Sequence, residues 1–146
     1  MVGWIYVTFQ TEDSQITIHV SDVFNSALDL VFPFWGLMRG AIPQKIEIDE
    51  EGEIKVIRIL PGNNDQVRFQ IEDYDYGEPD DDPDYPRMYI DVEVDKDALI
   101  KEFFSKFISF LENDFEPERW RETNPKSYFL PKVKDVLLSY TKGGGL

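Results

Sequence analysis

The sequence predicts an α+β fold: an antiparallel sheet of about six strands, a meander in its main part, with helices packed mainly on one face. Three observations lead there. Apolar and polar residues alternate with period two in several runs between 46 and 94, separated by short turns. Two stretches, 23–38 and 95–113, carry apolar residues at helical spacing instead. The 146 residues are 42% hydrophobic and 14% aromatic, enough for a core without disulfide or metal staples. One domain over 1–146 is expected, since neither a repeat nor a linker interrupts the pattern.

The first run, Trp4 to Phe9, is β-rich. Trp4, Tyr6 and Thr8 fall on one face and Ile5, Val7 and Phe9 on the other, so the strand is expected to be covered on both sides. Glu12-Asp13-Ser14 reads as a turn. Ile16, Ile18 and Val20 then alternate with Thr17 and His19, which describes a half-buried partner strand in a hairpin.

Ser21 or Asp22 can cap a helix over Val23–Met38, where Phe24, Leu28, Val31, Trp35 and Met38 recur at helical spacing. Pro33 lacks a backbone donor and should kink or split it, and Gly40 fits its C-terminal stop. The apolar arc is wider than one core face requires. Either the helix is central, or part of Val23–Met38 meets a second copy of the chain in a homodimer.

The meander follows. Ile46 and Ile48 alternate with Lys45, Glu47 and Asp49, and Glu50-Glu51-Gly52 fits a hairpin loop with glycine in the left-handed region. Ile54 and Val56 are expected to continue the apolar face. Ile57 and Ile59 shift phase by one residue, which signals a bulge or a strand apolar on both faces. Pro61-Gly62 before Asn63-Asn64-Asp65 is a turn signal. Val67, Phe69 and Ile71, then Met88, Ile90, Val92 and Val94, complete the alternation. Lys45, Glu47, Lys55, Arg68, Gln70, Tyr89, Asp91 and Glu93 would form the polar face, a solvated surface with cross-strand charge pairs.

Asp95 or Asp97 should cap the clearest helix, which ends near Asn113 and carries a stripe from Leu99 to Leu111. Pro117 suits the start of a short helix whose Trp120 plugs the core, and Pro131 suits the start of a last helix with Val133, Val136, Leu137 and Tyr140 inward. Residues 142–146, rich in glycine, read as a flexible tail.

Between the last two strands lies the strongest local anomaly. The stretch 72–86, EDYDYGEPDDDPDYP, holds eight carboxylates and no lysine or arginine. At 15 residues it far exceeds the two to five of an ordinary hairpin loop. Its tyrosines add apolar area and hydroxyls among the charges, as in binding surfaces. Asp73, Tyr74, Asp75, Tyr76, Glu78, Asp80, Asp81, Asp82, Asp84 and Tyr85 are the candidate partner-binding residues. A solvated, self-repelling loop is the structural alternative. Calcium is the weaker functional one. Asp73-x-Asp75 opens like an EF-hand loop, but Gly77 falls fifth where glycine should be sixth, and Asp84 stands where a bidentate glutamate belongs. Asp80, Asp82 and Asp84 remain as a looser ligand set.

The formal net charge is -14, with 29 acidic against 15 basic residues. A field of this sign repels phosphate backbones, so no nucleic-acid partner is expected. With one histidine and no cysteine, a zinc site of Cys and His and a Cys–His nucleophile are excluded. His19 reads as a surface residue. No nucleophile elbow, Walker A, G-x-G-x-x-G or H-E-x-x-H pattern is present, and no cofactor is expected. A converging carboxylate pair would need a raised pKa from burial to serve as acid and base. A small carboxylate-dependent enzyme is thus the second alternative. No signal peptide or membrane span is evident, which suggests a cytoplasmic protein.

These features describe a non-catalytic acidic protein that binds a basic protein partner. In charge, size and layout the chain is similar to the small bacterial immunity proteins, which neutralise basic toxin nucleases through acidic surfaces. That resemblance implies a toxin-like partner and assigns no residues.

Overall fold

The computed structural model describes residues 4–21, 27–74 and 88–114, together with 134, 135 and 138. Six strands and two helices follow in the order β1 (Trp4–Gln10), β2 (Gln15–Ser21), α1 (Ala27–Met38), β3 (Gln44–Asp49), β4 (Ile54–Pro61), β5 (Gln66–Tyr74), β6 (Met88–Asp95) and α2 (Lys96–Asn113). The fold is α+β, as the sequence indicates. The six strands form two antiparallel sheets rather than one. β1 and β2 pair as a hairpin, and β3-β4-β5-β6 is a four-stranded meander.

Register decides which residues share a face. Ile46 lies opposite Ile57, Ile59 opposite Phe69, Ile57 opposite Ile71, and Ile71 opposite Ile90. These residues make one continuous apolar face, here called inner. α1, α2 and the β1–β2 hairpin all pack on it, and their buried side chains join its own in one core cluster. Phe34 of α1 and Phe103 of α2 stack with centroids 3.7 Å apart, and Phe34 also meets Phe69 on the sheet. Where only one face of a strand is covered, apolar and polar residues alternate, hence the period-two pattern of β3, β5 and β6.

Three expectations are corrected. β1 is covered on one side only: Ile5, Val7 and Phe9 turn inward, whereas Tyr6 is 66% exposed. A two-stranded hairpin lying on the main sheet has nothing described above its far side. Of the two outcomes expected at Pro33, a kink or a split, the split does not occur, since α1 is continuous through it. Leu30, Val31, Phe34 and Leu37 are all buried on that helix. Each contributes about 1.5–3 kcal/mol on burial, which outweighs the roughly 3 kcal/mol that an interior proline costs. Finally, Ile54 and Val56 do not continue the face of Ile46 and Ile48. The unbroken β3–β4 register sets Ile48 against Lys55 and Glu47 against Val56. β4 is therefore the two-faced strand, with Ile54 and Val56 buried on the outer side. The irregularity in the ladder falls between β5 and β6, beside Ile71 and Glu72.

Local chemistry sets the element ends. The N–H of Ala41 donates to the Gly36 carbonyl and that of Gly40 to Leu37, a Schellman closure with Gly40 at φ 80°. Between β3 and β4 the chain reverses over Glu51 and Gly52, both at positive φ, inside a bond from the Glu50 N–H to the Glu53 carbonyl. α2 begins where its sequence indicates: the Asp95 carboxylate accepts from the Ala98 N–H at 2.9 Å. Of the expected last helix, Lys134, Asp135 and Leu138 are helical, and Lys134 forms an ion pair with Glu112. The onset expected for the first helix, the Trp120 helix and the 142–146 tail lie outside the described residues. Replacing Asp95 by alanine is expected to cost about 1 kcal/mol, read from urea unfolding with an unchanged slope.

Candidate functional site

The acidic stretch starts from β5, and its root is built around Lys55. In phase with Ile57 and Ile59, Lys55 points to the inner side, where its side chain is only 5% exposed. Its ammonium donates to Glu50 Oε1 at 2.6 Å and, at 3.4 Å each, to Glu53 Oε2 and Asp73 Oδ1. The Tyr89 ring centroid lies 5.7 Å from Nζ, and Tyr89 Oη donates to Asp73 Oδ2 at 3.2 Å. Tyr89 reaches this side because Ile71 faces Ile90 while Glu72 faces Met88, so the β6 backbone bulges at residue 89. The second oxygen of Glu50 accepts the His19 backbone N–H at 2.8 Å. One buried carboxylate thus joins the hairpin to the meander.

Burial alone would lower the Lys55 pKa. The hydrogen bond and charge of Glu50, followed by the charges of Asp73 and Glu53, more than offset that and hold the ammonium above the ordinary lysine range. An amine held this firmly protonated is neither base nor nucleophile near neutral pH. The three carboxylates that converge here share one ammonium, which makes the cluster a structural node.

Of the candidate partner-binding residues, Asp73 and Tyr74 are described. Asp73 is turned inward to Lys55 and Tyr89. Tyr74 lies on the outer side opposite Ile54 and is 42% exposed. Asp75, Tyr76, Glu78, Asp80, Asp81, Asp82, Asp84 and Tyr85 lie outside the described residues, and with them the looser calcium set. Among the described residues no three His, Asp or Glu side chains group as metal ligands.

The outer sheet face keeps Lys45, Glu47, Arg68, Gln70, Asp91 and Glu93 of its expected residues. Lys55 and Tyr89 leave it for the inner side, by register and bulge respectively. Arg68 meets Asp91 through Nε at 2.6 Å and Nη2 at 2.8 Å, a two-pronged pair, and Gln70 Nε2 donates to the same carboxylate at 3.2 Å. The Arg68 bond holds the Asp91 carboxyl below the usual range against a smaller opposing effect of burial, with Gln70 adding to it. Lys45 pairs with Glu47 at 3.3 Å, and Arg58 pairs with Glu72. Lys45, Lys55, Arg58 and Arg68, the described cations of the meander, are thus each engaged by carboxylates. His19 is on the surface with its ring edge against Tyr6, centroids 4.8 Å apart. On α1, Phe32 is 56% exposed and is the described side chain that a homodimer contact there would bury.

The Lys55 node was not foreseen as a unit. Its signal lay in the phase shift at Ile57, which moves Lys55 to the apolar side once Ile57 and Ile59 define it. No protein-family model, curated protein or solved structure matches the chain.

Lys55→Met would leave Glu50 buried without its cation and is expected to cost about 3–5 kcal/mol in urea unfolding. Glu50→Gln/Lys55→Met, which keeps an acceptor for His19, is expected to cost less than Lys55→Met alone. Because the folded-state pKa of Lys55 is raised, its stabilisation is fully present below the unfolded lysine value of about 10.4. It is lost as pH rises through the higher folded value. The cost of Lys55→Met should accordingly begin to shrink as unfolding is repeated at pH values rising above about 10.4.

Proposed function

We propose that the protein is a non-catalytic interaction protein that binds a basic protein partner through the acidic stretch at 72–86 and the adjoining outer sheet face. The observation that carries this reading is a mismatch of charge. The described cations of the meander are committed to carboxylates of the sheet and its root. The stretch adds Asp75, Glu78, Asp80, Asp81, Asp82 and Asp84 with no lysine or arginine among them. Its first two carboxylates are spent on anchoring, Glu72 on Arg58 outside and Asp73 on Lys55 inside. Beyond them the stretch carries six more carboxylates and no lysine or arginine of its own, and the net charge of -14 adds long-range attraction for a basic protein.

An immunity-like role is the form of this reading that size, charge and layout favour: the partner would be a basic toxin, masked by the acidic surface. Residence in the cytoplasm suits a chain without cysteine. Nucleic acid is disfavoured as partner by the same field that favours a basic protein.

Replacing Asp80, Asp81 and Asp82 together by asparagine is expected to weaken partner capture about tenfold at low salt and to flatten its salt dependence. Capture by the immobilised chain, compared between wild type and variant across salt concentrations, measures this. Equal capture of every partner at all salt concentrations would refute the reading.

A further inference from the structure

Away from the acidic stretch, a cleft of about 960 Å³ opens between β1, β6 and the two helices. Its floor is apolar, with Val92 and Val94 of β6, Phe34 of α1, and Leu99, Phe103 and Phe110 of α2. One wall is β1, from which every residue between Ile5 and Thr11 contributes. Side chains alternate along a strand, and here Val7 and Phe9 pack on the core while Tyr6, Thr8 and Gln10 are exposed. A cleft that touches consecutive residues of a strand runs along its edge.

That edge is open. Among the described residues β1 pairs with β2 alone. The hairpin closes with the Thr11 N–H donating to the Ser14 carbonyl. By the alternation of an antiparallel ladder, the pairs Gln10–Gln15, Thr8–Thr17 and Tyr6–His19 are then the non-hydrogen-bonded ones, whose backbone groups point outward. The His19 N–H obeys this parity on the β2 side, where it is free to meet Glu50. On the β1 side the same parity aims the N–H and C=O of Tyr6, Thr8 and Gln10 out beside the apolar floor.

We propose that this cleft receives an extended segment of the basic partner, added as a strand along β1, with alternate apolar side chains in the cleft and lysine or arginine flanking them. The inference rests on the proposed function in taking the partner to be basic. Charge selects the occupant. The chain has no lysine or arginine before Arg39, the hairpin turn carries Glu12 and Asp13, and at the cleft itself Glu12 and Glu102 stand against the single cation Lys106. A net charge of -14 opposes a second copy of the chain and an anionic lipid alike, and draws in a cationic strand. Strand addition supplies affinity through the backbone and selects through alternate side chains.

The test uses the full chain and the peptide Lys-Lys-Val-Thr-Val-Thr-Val-Lys-Lys, followed by amide exchange in NMR spectra. At saturating peptide, exchange at Tyr6, Thr8 and Gln10 is expected to slow at least tenfold. Methylating alternate peptide nitrogens, which leaves the protein unchanged, should weaken binding about tenfold, and Thr8→Pro, which removes one outward N–H, should do the same. Unchanged exchange at those three amides at saturation would overturn the proposal. So would equal binding of the peptide with glutamate in place of lysine, or protection of these amides without peptide together with a doubled mass, which would place a second copy there. The substitution of Asp80, Asp81 and Asp82 separates this from the proposed function. If it leaves partner capture intact while β1 is still protected, the acidic stretch is not the docking surface and the cleft is. If it abolishes capture while β1 stays unprotected, the reverse holds.

Discussion

A buried lysine holds this fold together at the point where its parts meet. Lys55 sits at one end of the apolar inner face, on a strand that also carries Ile54, Val56, Ile57 and Ile59. Its charge is tolerable there only because Glu50, Asp73 and Glu53 surround it, two of them from the β3–β4 turn and one from β5. Glu50 follows the last residue of β3 and reaches across to the β2 backbone, while Asp73 is the next to last residue of β5. Removing a charge from water is costly, and the geometry that offsets the cost must be kept as a whole. Hairpin, meander and the root of the acidic stretch are therefore fixed relative to one another by one ammonium group.

That arrangement explains why a long acidic connection need not loosen the sheet beside it. Like charges packed into 15 residues repel, and the repulsion would be felt first at the strand ends. On β5 the first two carboxylates are each tied to a cation, on opposite faces of the sheet. The repelling charges begin only beyond this double anchorage.

Much of this was legible in the residues. The capped helix after Asp95 was, because an acceptor before a stripe of Leu99, Phe103 and Phe107 has one reading. The meander was, because alternation survives wherever one face is wet. What the alternation could not settle was the phase of β4. Ile54, Val56, Ile57 and Ile59 are apolar on both parities, so period two loses its meaning there. Only the pairing with β3 and β5 decides that Lys55 lies inside. The division of six strands into two sheets was hidden for a related reason: β1 is apolar on both faces in sequence, yet the hairpin crosses over the core instead of extending the main sheet. As for the candidate site, its composition was plain from the sequence, and its anchorage through Lys55 was not, since that depends on which carboxylates the fold brings together.

The open edge of β1 has a consequence for solubility. Sheet proteins commonly blunt such edges with lysine, proline or a bulge, because a bare edge recruits other chains. Trp4–Gln10 contains none of these, and its ladder to β2 is unbroken. The long-range repulsion of a strongly anionic surface opposes the joining of copies along that edge, and salt attenuates it within about 8 Å at physiological ionic strength. The acidity of the protein is thus also its colloidal protection, and whatever neutralises it exposes a strand ready to pair.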